Sequence, residues 1–279
     1  MNMARWSGIL LALSALGCSK VPVTGRRQYN FVPDSIMIGL GKTAYSQTLS
    51  SSKVEKTGSD AEMLTKVGKR IATVTNKKDF EWRYKLLDDE DTINAWCLPG
   101  GKIAFYTGIL PVLKNEAGMG FVMGHEVGHA VARHGAERLS QQLTVLGGMA
   151  GLYLYMDQKT GLTEQQSAII VAAMGAGAEV GVLLPFSRKQ ESEADVIGMM
   201  YMAGAGYPPE ESIEIWNRME EATGGSSVPA FLSTHPSNQN RKENLRDWMP
   251  QAKKRYARNK VSGNPQSTIW EGLSGKKSK

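Results

Sequence analysis

Asn115-Glu116-Ala117-Gly118-Met119-Gly120-Phe121-Val122-Met123-Gly124-His125-Glu126-Val127-Gly128-His129-Ala130-Val131 decides how this chain folds. Asn115 is of the residue type that caps helices, and Glu116 puts a negative charge where a helix N-terminus favours one. Phe121, Val122, Val127, Ala130 and Val131 supply a buried surface, so a helix is expected over Asn115 to His134. Gly120, Gly124 and Gly128 fall along one stripe of it. Each glycine costs about 1 kcal/mol of helix propensity relative to alanine. That cost implies close approach by another backbone, either a packed helix or a strand beside a cleft.

His125 and His129 lie about 40° apart around such a helix, so both imidazoles reach one tetrahedral metal ion, with Glu126 beside them. Zinc held there would activate water, and Glu126 is placed to take the proton as general base. A third ligand is offered by Glu191 in Ser187-Arg188-Lys189-Gln190-Glu191-Ser192-Glu193-Ala194-Asp195. Pro185 interrupts the preceding apolar run, and Ser187 with Gln190 makes a capping-box pattern. A helix therefore starts here, with Glu191 and Asp195 one turn apart on one face. Asp195 can accept the outer N–H of a ligand histidine and fix its tautomer. Glu193 lies about 200° around the wheel from Glu191 and cannot share that role.

The combination His125-Glu126-x-x-His129 with Glu191-x-x-Ala194-Asp195 resembles the HtpX heat-shock and CAAX-prenyl-protease family of zinc metallopeptidases, metallopeptidase family forty-eight. Further matches are Asn94 to Gly108, Arg133-His134-Gly135, and Ser233-Thr234-His235-Pro236 with Arg241, so the similarity covers residues 20–250. The resemblance implies one zinc ion per chain on His125, His129 and Glu191, with Glu126 as base and Asp195 and Arg241 behind the ligands. It implies an α+β, mainly helical zincin-like fold of the gluzincin type. In that fold the strand Gly101, Lys102, Ile103, Ala104, Phe105 borders the cleft and pairs with substrate. Alternation of Ile103, Phe105 and Thr107 after a Pro-Gly-Gly turn reads as a strand independently. Trp96 and Cys97 depart from the aromatic and alanine common in the family, which bears on cleft lining rather than chemistry. By the same resemblance His235 approaches the zinc and takes the place of water, or donates to the oxyanion in a productive complex. A hydrogen bond to backbone is the plainer alternative. His134, about 140° beyond His129 on a continuous helix, is expected to be structural.

At the N-terminus, Arg5 precedes an apolar run from Ile9 to Leu16, well short of the ~20 residues of a membrane span, and Gly17-Cys18 closes it. This resembles a bacterial lipoprotein signal, with Ala15 where leucine is usual. The expectation is removal of residues 1–17, lipid on Cys18, and an enzyme anchored in the bacterial periplasm, at the outer membrane given Ser19. Ordinary secretion and an uncleaved anchor are the alternatives. Cys97 is then left alone, and no intramolecular disulfide forms.

With 279 residues and 41% hydrophobic side chains the chain can bury a sizeable core. One catalytic domain is expected over 18–252. The net charge of +6 is concentrated in residues 253–279, expected to be a disordered basic tail, so no nucleic-acid partner is implied. Further helices are predicted over Asp34 to Ser50, Ser59 to Asn76, Ala136 to Tyr155, Thr163 to Leu184, Arg188 to Ala203 and Pro209 to Glu221. A second strand is predicted near Trp82 to Leu87. The apolar stretches Leu143 to Met156 and Ala168 to Leu184 read as a helical hairpin covering the catalytic helix, with membrane insertion as the alternative. The function expected is endopeptidase action on unfolded or unassembled proteins; the alternative is an assembly factor or chaperone with latent proteolysis.

Overall fold

A computed structural model describes residues 18–160, 186–222, 230–235 and 240–259. The expected helix at Thr163 to Leu184 lies outside these residues. Strands β1 (Cys18–Lys20) and β2 (Arg27–Tyr29) form a small antiparallel ribbon ahead of helix α1 (Asp34–Ser51). A four-stranded sheet follows, built from β3 (Val54–Glu55), β4 (Arg83–Leu87), β5 (Ala95–Leu98) and β6 (Lys102–Tyr106) in the order β3-β4-β6-β5. Helix α2 (Ser59–Thr73) packs on it through Leu64, Val67 and Ile71, and Gly68 lets the Tyr84 ring lie against its backbone.

The sheet corrects one expectation. Strand β6 is parallel to β4 and antiparallel to β5, so both its edges are taken and Gly101 to Phe105 cannot pair with substrate. The turn at Gly100 and Gly101, with φ of +90° and +80°, folds β5 back over the edge of β6. That leaves β5 as the edge, its outer side unpaired among the described strands.

A short turn, Leu110–Leu113 (α3), leads to α4 (Glu116–Val131), whose sixteen residues are all buried. Asn115 caps it, accepting from the Gly118 N–H at 2.8 Å. Across it packs α6 (Arg188–Gly204), started by the Ser187–Gln190 capping box. The glycine stripe answers the question its cost raises. A Cβ on Gly124 would stand 2.7 Å from the Gly198 carbonyl oxygen, and one on Gly198 would stand 2.6 Å from the His125 nitrogen. The backbone that approaches is therefore that of α6.

Arg133, at φ +60°, ends α4 and turns the chain into α5 (His134–Thr160), so the helix expected to run on to His134 stops short of it. Helix α7 (Glu211–Ala222), the short α8 (Ala230–Thr234) and α9 (Asn240–Asn259) close the domain. Helix α9 corrects the domain boundary: it carries Pro250 inside it, continues through residue 253 and buries Leu245 and Ala252. Residues 260–279 of the expected tail lie outside the described residues. No described helix is long and apolar enough to cross a membrane.

Candidate metal centre

Helices α4 and α6 bring His125, His129 and Glu191 together in the core, with His235 from the end of α8 above them. The His125 and His129 Nε2 atoms are 3.2 Å apart, and they stand 3.5 and 3.4 Å from the Glu191 carboxylate oxygens. His235 Nδ1 lies 3.2 Å from Glu191 Oε1 and 3.4 Å from His125 Nε2. In a zinc tetrahedron with metal–ligand bonds of 2.0–2.1 Å, neighbouring donors are about 3.3–3.4 Å apart. His125, His129 and Glu191 thus meet the dimensions of a single zinc ion, and the His235 donor lies within 4.8 Å of each of theirs. Glu126 Oε1 is buried without a hydrogen bond and lies 3.4 Å from His235 Nε2. Its expected place beside the donors is observed.

The side chains of the cluster are held from behind. His125 Nδ1 is 3.0 Å from Asp195 Oδ1, and a carboxylate can only accept, so the proton sits on Nδ1 and the Nε2 lone pair faces the cluster. Buried Arg241 donates to both Asp195 oxygens, at 2.6 and 2.8 Å, and reaches Glu191 Oε2 at 3.0 Å. Its guanidinium carbon lies 3.8 Å from the centre of the Trp216 ring. Behind His129 stands His134, with the two Nδ1 atoms 3.0 Å apart. His134 stays out of the four-donor cluster, as expected. It does so from the start of a new helix, in contact with His129, and not from the far side of the same helix.

The electrostatics follow from burial set against these partners. Burial opposes charge on His125, but Asp195 and Glu191 outweigh it and lift its pKa to about 9. Burial drives His129 well down, against the pull of Glu191. Burial raises Glu126, with His235 and His125 opposing. Burial also works to raise Glu191, yet the surrounding histidines, led by His129, carry it well below the ordinary carboxylate range. An ionised carboxylate facing two imidazoles is a cation site, which a metal ion takes in exchange for the proton that the carboxylates hold on His125.

Two features sequence reasoning did not supply complete the cleft. Phe186 stacks on His129 with ring centres 3.8 Å apart, and Phe231 stacks on His235 at 4.5 Å, so His235 is clamped between aromatic rings on a helix end. A cavity of about 170 Å³ opens beside His129, walled by Met37 and Ile38 of α1, Leu98 of β5, Leu139 and Phe186. Cys97 of β5 faces Glu126, and burial raises its thiol pKa, so it is not a ready nucleophile. It is a free thiol.

A buried His, His, Glu set on two crossed helices, with the Glu126 carboxylate beside it and an edge strand alongside, defines a zincin-type metallopeptidase. The chain belongs to Peptidase family M48, whose model matches residues 59–249. It is a zinc metalloendopeptidase by that membership, and the family uses zinc. It is 35% identical over 237 residues to the mitochondrial metalloendopeptidase OMA1 of Schizosaccharomyces pombe, covering 83% of this chain and 66% of that protein. It is 30% identical over 284 residues to its Saccharomyces cerevisiae counterpart, covering 90% and 77%. A more distant relative is the beta-barrel assembly-enhancing protease of Escherichia coli, 25% identical over 192 residues, 67% of this chain and 38% of that one. The family-level resemblance stands, through these relatives and not specifically through an HtpX or CAAX lipoprotein branch.

The bacterial periplasmic location is overturned, because both yeast relatives, aligned over most of the chain, are mitochondrial enzymes. An N-terminus with arginine, serines, a short apolar run and no acidic residue also matches the composition of mitochondrial leaders, so that pattern does not discriminate. The lipid on Cys18 depended on that location and is not carried forward.

Proposed function

We propose that the chain hydrolyses internal peptide bonds of unfolded or unassembled proteins, using zinc held by His125, His129 and Glu191 and Glu126 as general base. The observation that carries this reading is the cluster itself: three donors at tetrahedral spacing around one point, with an unbonded Glu126 oxygen beside them. Zinc bound there supplies the Lewis acidity that makes water a nucleophile near neutral pH and polarises the peptide carbonyl.

The remaining work falls to side chains. Glu126 takes the proton from water and delivers it to the leaving amine, a role that suits a carboxylate lifted by burial. The outer side of β5, which no described strand pairs and where Cys97 bonds Glu126 through its backbone, receives the substrate backbone as an added strand. The cavity beside His129 takes an apolar substrate side chain next to the scissile bond.

A second reading, an assembly factor with proteolysis held back, is favoured by His235, which fills the fourth position that a catalytic site keeps open. One experiment addresses both. Zinc-loaded wild type should cleave peptides carrying Leu or Phe beside the scissile bond faster than those carrying Asp. Glu126→Gln should keep zinc and lose cleavage. Full cleavage by metal-replete Glu126→Gln would remove the mechanism, whereas intact assembly activity in that variant would establish the second reading.

A further inference from the structure

His125 is backed by a carboxylate, but His129 is backed by a second imidazole, and an imidazole can play either part in a hydrogen bond. The two Nδ1 atoms of His129 and His134, 3.0 Å apart, share one proton, and the surroundings of His134 decide which ring owns it. His134 Nε2 is 3.0 Å from Glu193 Oε2, so Nε2 carries the hydrogen, because a carboxylate oxygen accepts. Arg26 keeps Glu193 an acceptor: its Nε donates to that same oxygen at 2.7 Å. The Arg26 fork is itself fixed by Glu137, at 2.7 and 2.9 Å, and the Thr24 hydroxyl bonds the other Glu193 oxygen. A neutral His134 protonated on Nε2 has its lone pair on Nδ1. It therefore accepts from His129 Nδ1–H, and the His129 Nε2 lone pair is left pointing at Glu191.

We propose that Arg26 is a positioning residue which, through Glu193 and His134, fixes His129 in the tautomer that binds metal. Arg26 sits on the β1–β2 turn, outside the residues matched by the family, so a segment ahead of the matched region completes the metal site. The segment is fastened there. Gln28 Nε2 donates to the Ala132 carbonyl at 2.8 Å, and Arg133 donates to the Val32 carbonyl at 2.7 Å, over the end of α4. The inference rests on the reading of His129 as a zinc ligand.

The test uses the whole chain, with zinc alone as probe, competed against a chelator, and histidine ¹⁵N NMR of the zinc-loaded protein. In wild type, His129 should show a protonated Nδ1 and His134 a protonated Nε2. Arg26→Met and His134→Phe should each weaken zinc binding about 10–100-fold, the range for groups that orient a ligand. His134→Gln should recover most of that loss, because its amide oxygen can still accept from His129. Wild-type zinc affinity in both Arg26→Met and His134→Phe overturns the proposal. So does a His134→Gln protein as weak as His134→Phe, which would mean that the ring only packs. Should His134→Phe fail to fold, Arg26→Met on the half-exposed turn decides alone. Retention of stoichiometric zinc by His129→Ala would instead bring down the ligand assignment itself.

Discussion

The two histidines of the catalytic helix face the same point and are supported in opposite ways. His125 leans on Asp195 and Arg241, which come from the helices that make the core, and the Arg241 side chain is 2% exposed. His129 leans on His134, Glu193 and then Arg26, whose side chain is 16% exposed and belongs to a two-stranded ribbon at the edge of the fold. The first support is one carboxylate long and sealed; the second runs through two more side chains and ends near water. A charge pair is worth more, and is more damaging when broken, where water cannot replace a missing partner. The two imidazoles are thus tied to the core helices on one side and, on the other, to a ribbon fastened over the end of α4.

The largest difference is expected from removing one member of each support. Arg241→Met leaves Asp195 and Glu191 buried with their main cation gone, and should cost about 3–5 kcal/mol of stability. Arg26→Met also leaves buried carboxylates, but Glu193 keeps His134 and Thr24 and Glu137 keeps Gln190, so it should cost less, about 1–3 kcal/mol. Urea unfolding of the two variants measures this, and equal losses would erase the distinction.

Acid should open the outer support. Burial works to raise Glu193, but His134, Thr24 and Arg26 more than offset it and hold its pKa at about 2. A carboxylate with a depressed folded-state pKa contributes stability that is complete above its ordinary value and lost as pH falls through the folded value. The window is from about pH 4.5 down to about 2, and the contribution is at most about 3 kcal/mol. Arg26→Met should shift the acid-unfolding midpoint upward; an unmoved midpoint would mean that Glu193 is held by other groups.

Salt should give the smallest effect. At 1 M ionic strength screening acts within about 3 Å, which reaches the Arg26 pairs sooner than the Arg241 pairs. Zinc affinity of wild type should fall by less than about threefold between 0.1 and 1 M salt. That dependence should vanish in Arg26→Met and persist in Arg241→Lys, if the protein is compared at equal zinc. Persistence in both would place the salt effect elsewhere.

Local chemistry made part of this legible. Two histidines four residues apart, a capped helix start at Ser187 and a carboxylate one turn before Asp195 are short-range patterns, and short-range geometry follows from the period of a helix. The glycine stripe announced a close contact, although its partner, α6, had to come from the fold. Other features depend on distant residues. Which of β5 and β6 forms the edge is set by the strand β4 that claims the other side, which neither sequence segment records. Pro250 reads as a helix end, since it removes a hydrogen bond, yet packing of Leu245 and Ala252 against the domain keeps α9 continuous. Arg26 carries no local signal at all, being the first of two adjacent arginines, and only its position against Glu137 and Glu193 distinguishes it.

The crossing of α4 and α6 sets a dimension as well as a contact. Gly124 and Gly198 let the two backbones touch, so the separation between the His125 ring and the Glu191 carboxylate is gauged by missing atoms. A methyl at either glycine forces the helices apart by a fraction of an ångström to about 1 Å, since its contacts would otherwise fall below 3.0 Å. Zinc–nitrogen and zinc–oxygen bonds span only roughly 2.0–2.2 Å. Two positions that bind nothing therefore set how closely the donors of the two helices converge, and a methyl at either would loosen that convergence without touching a donor.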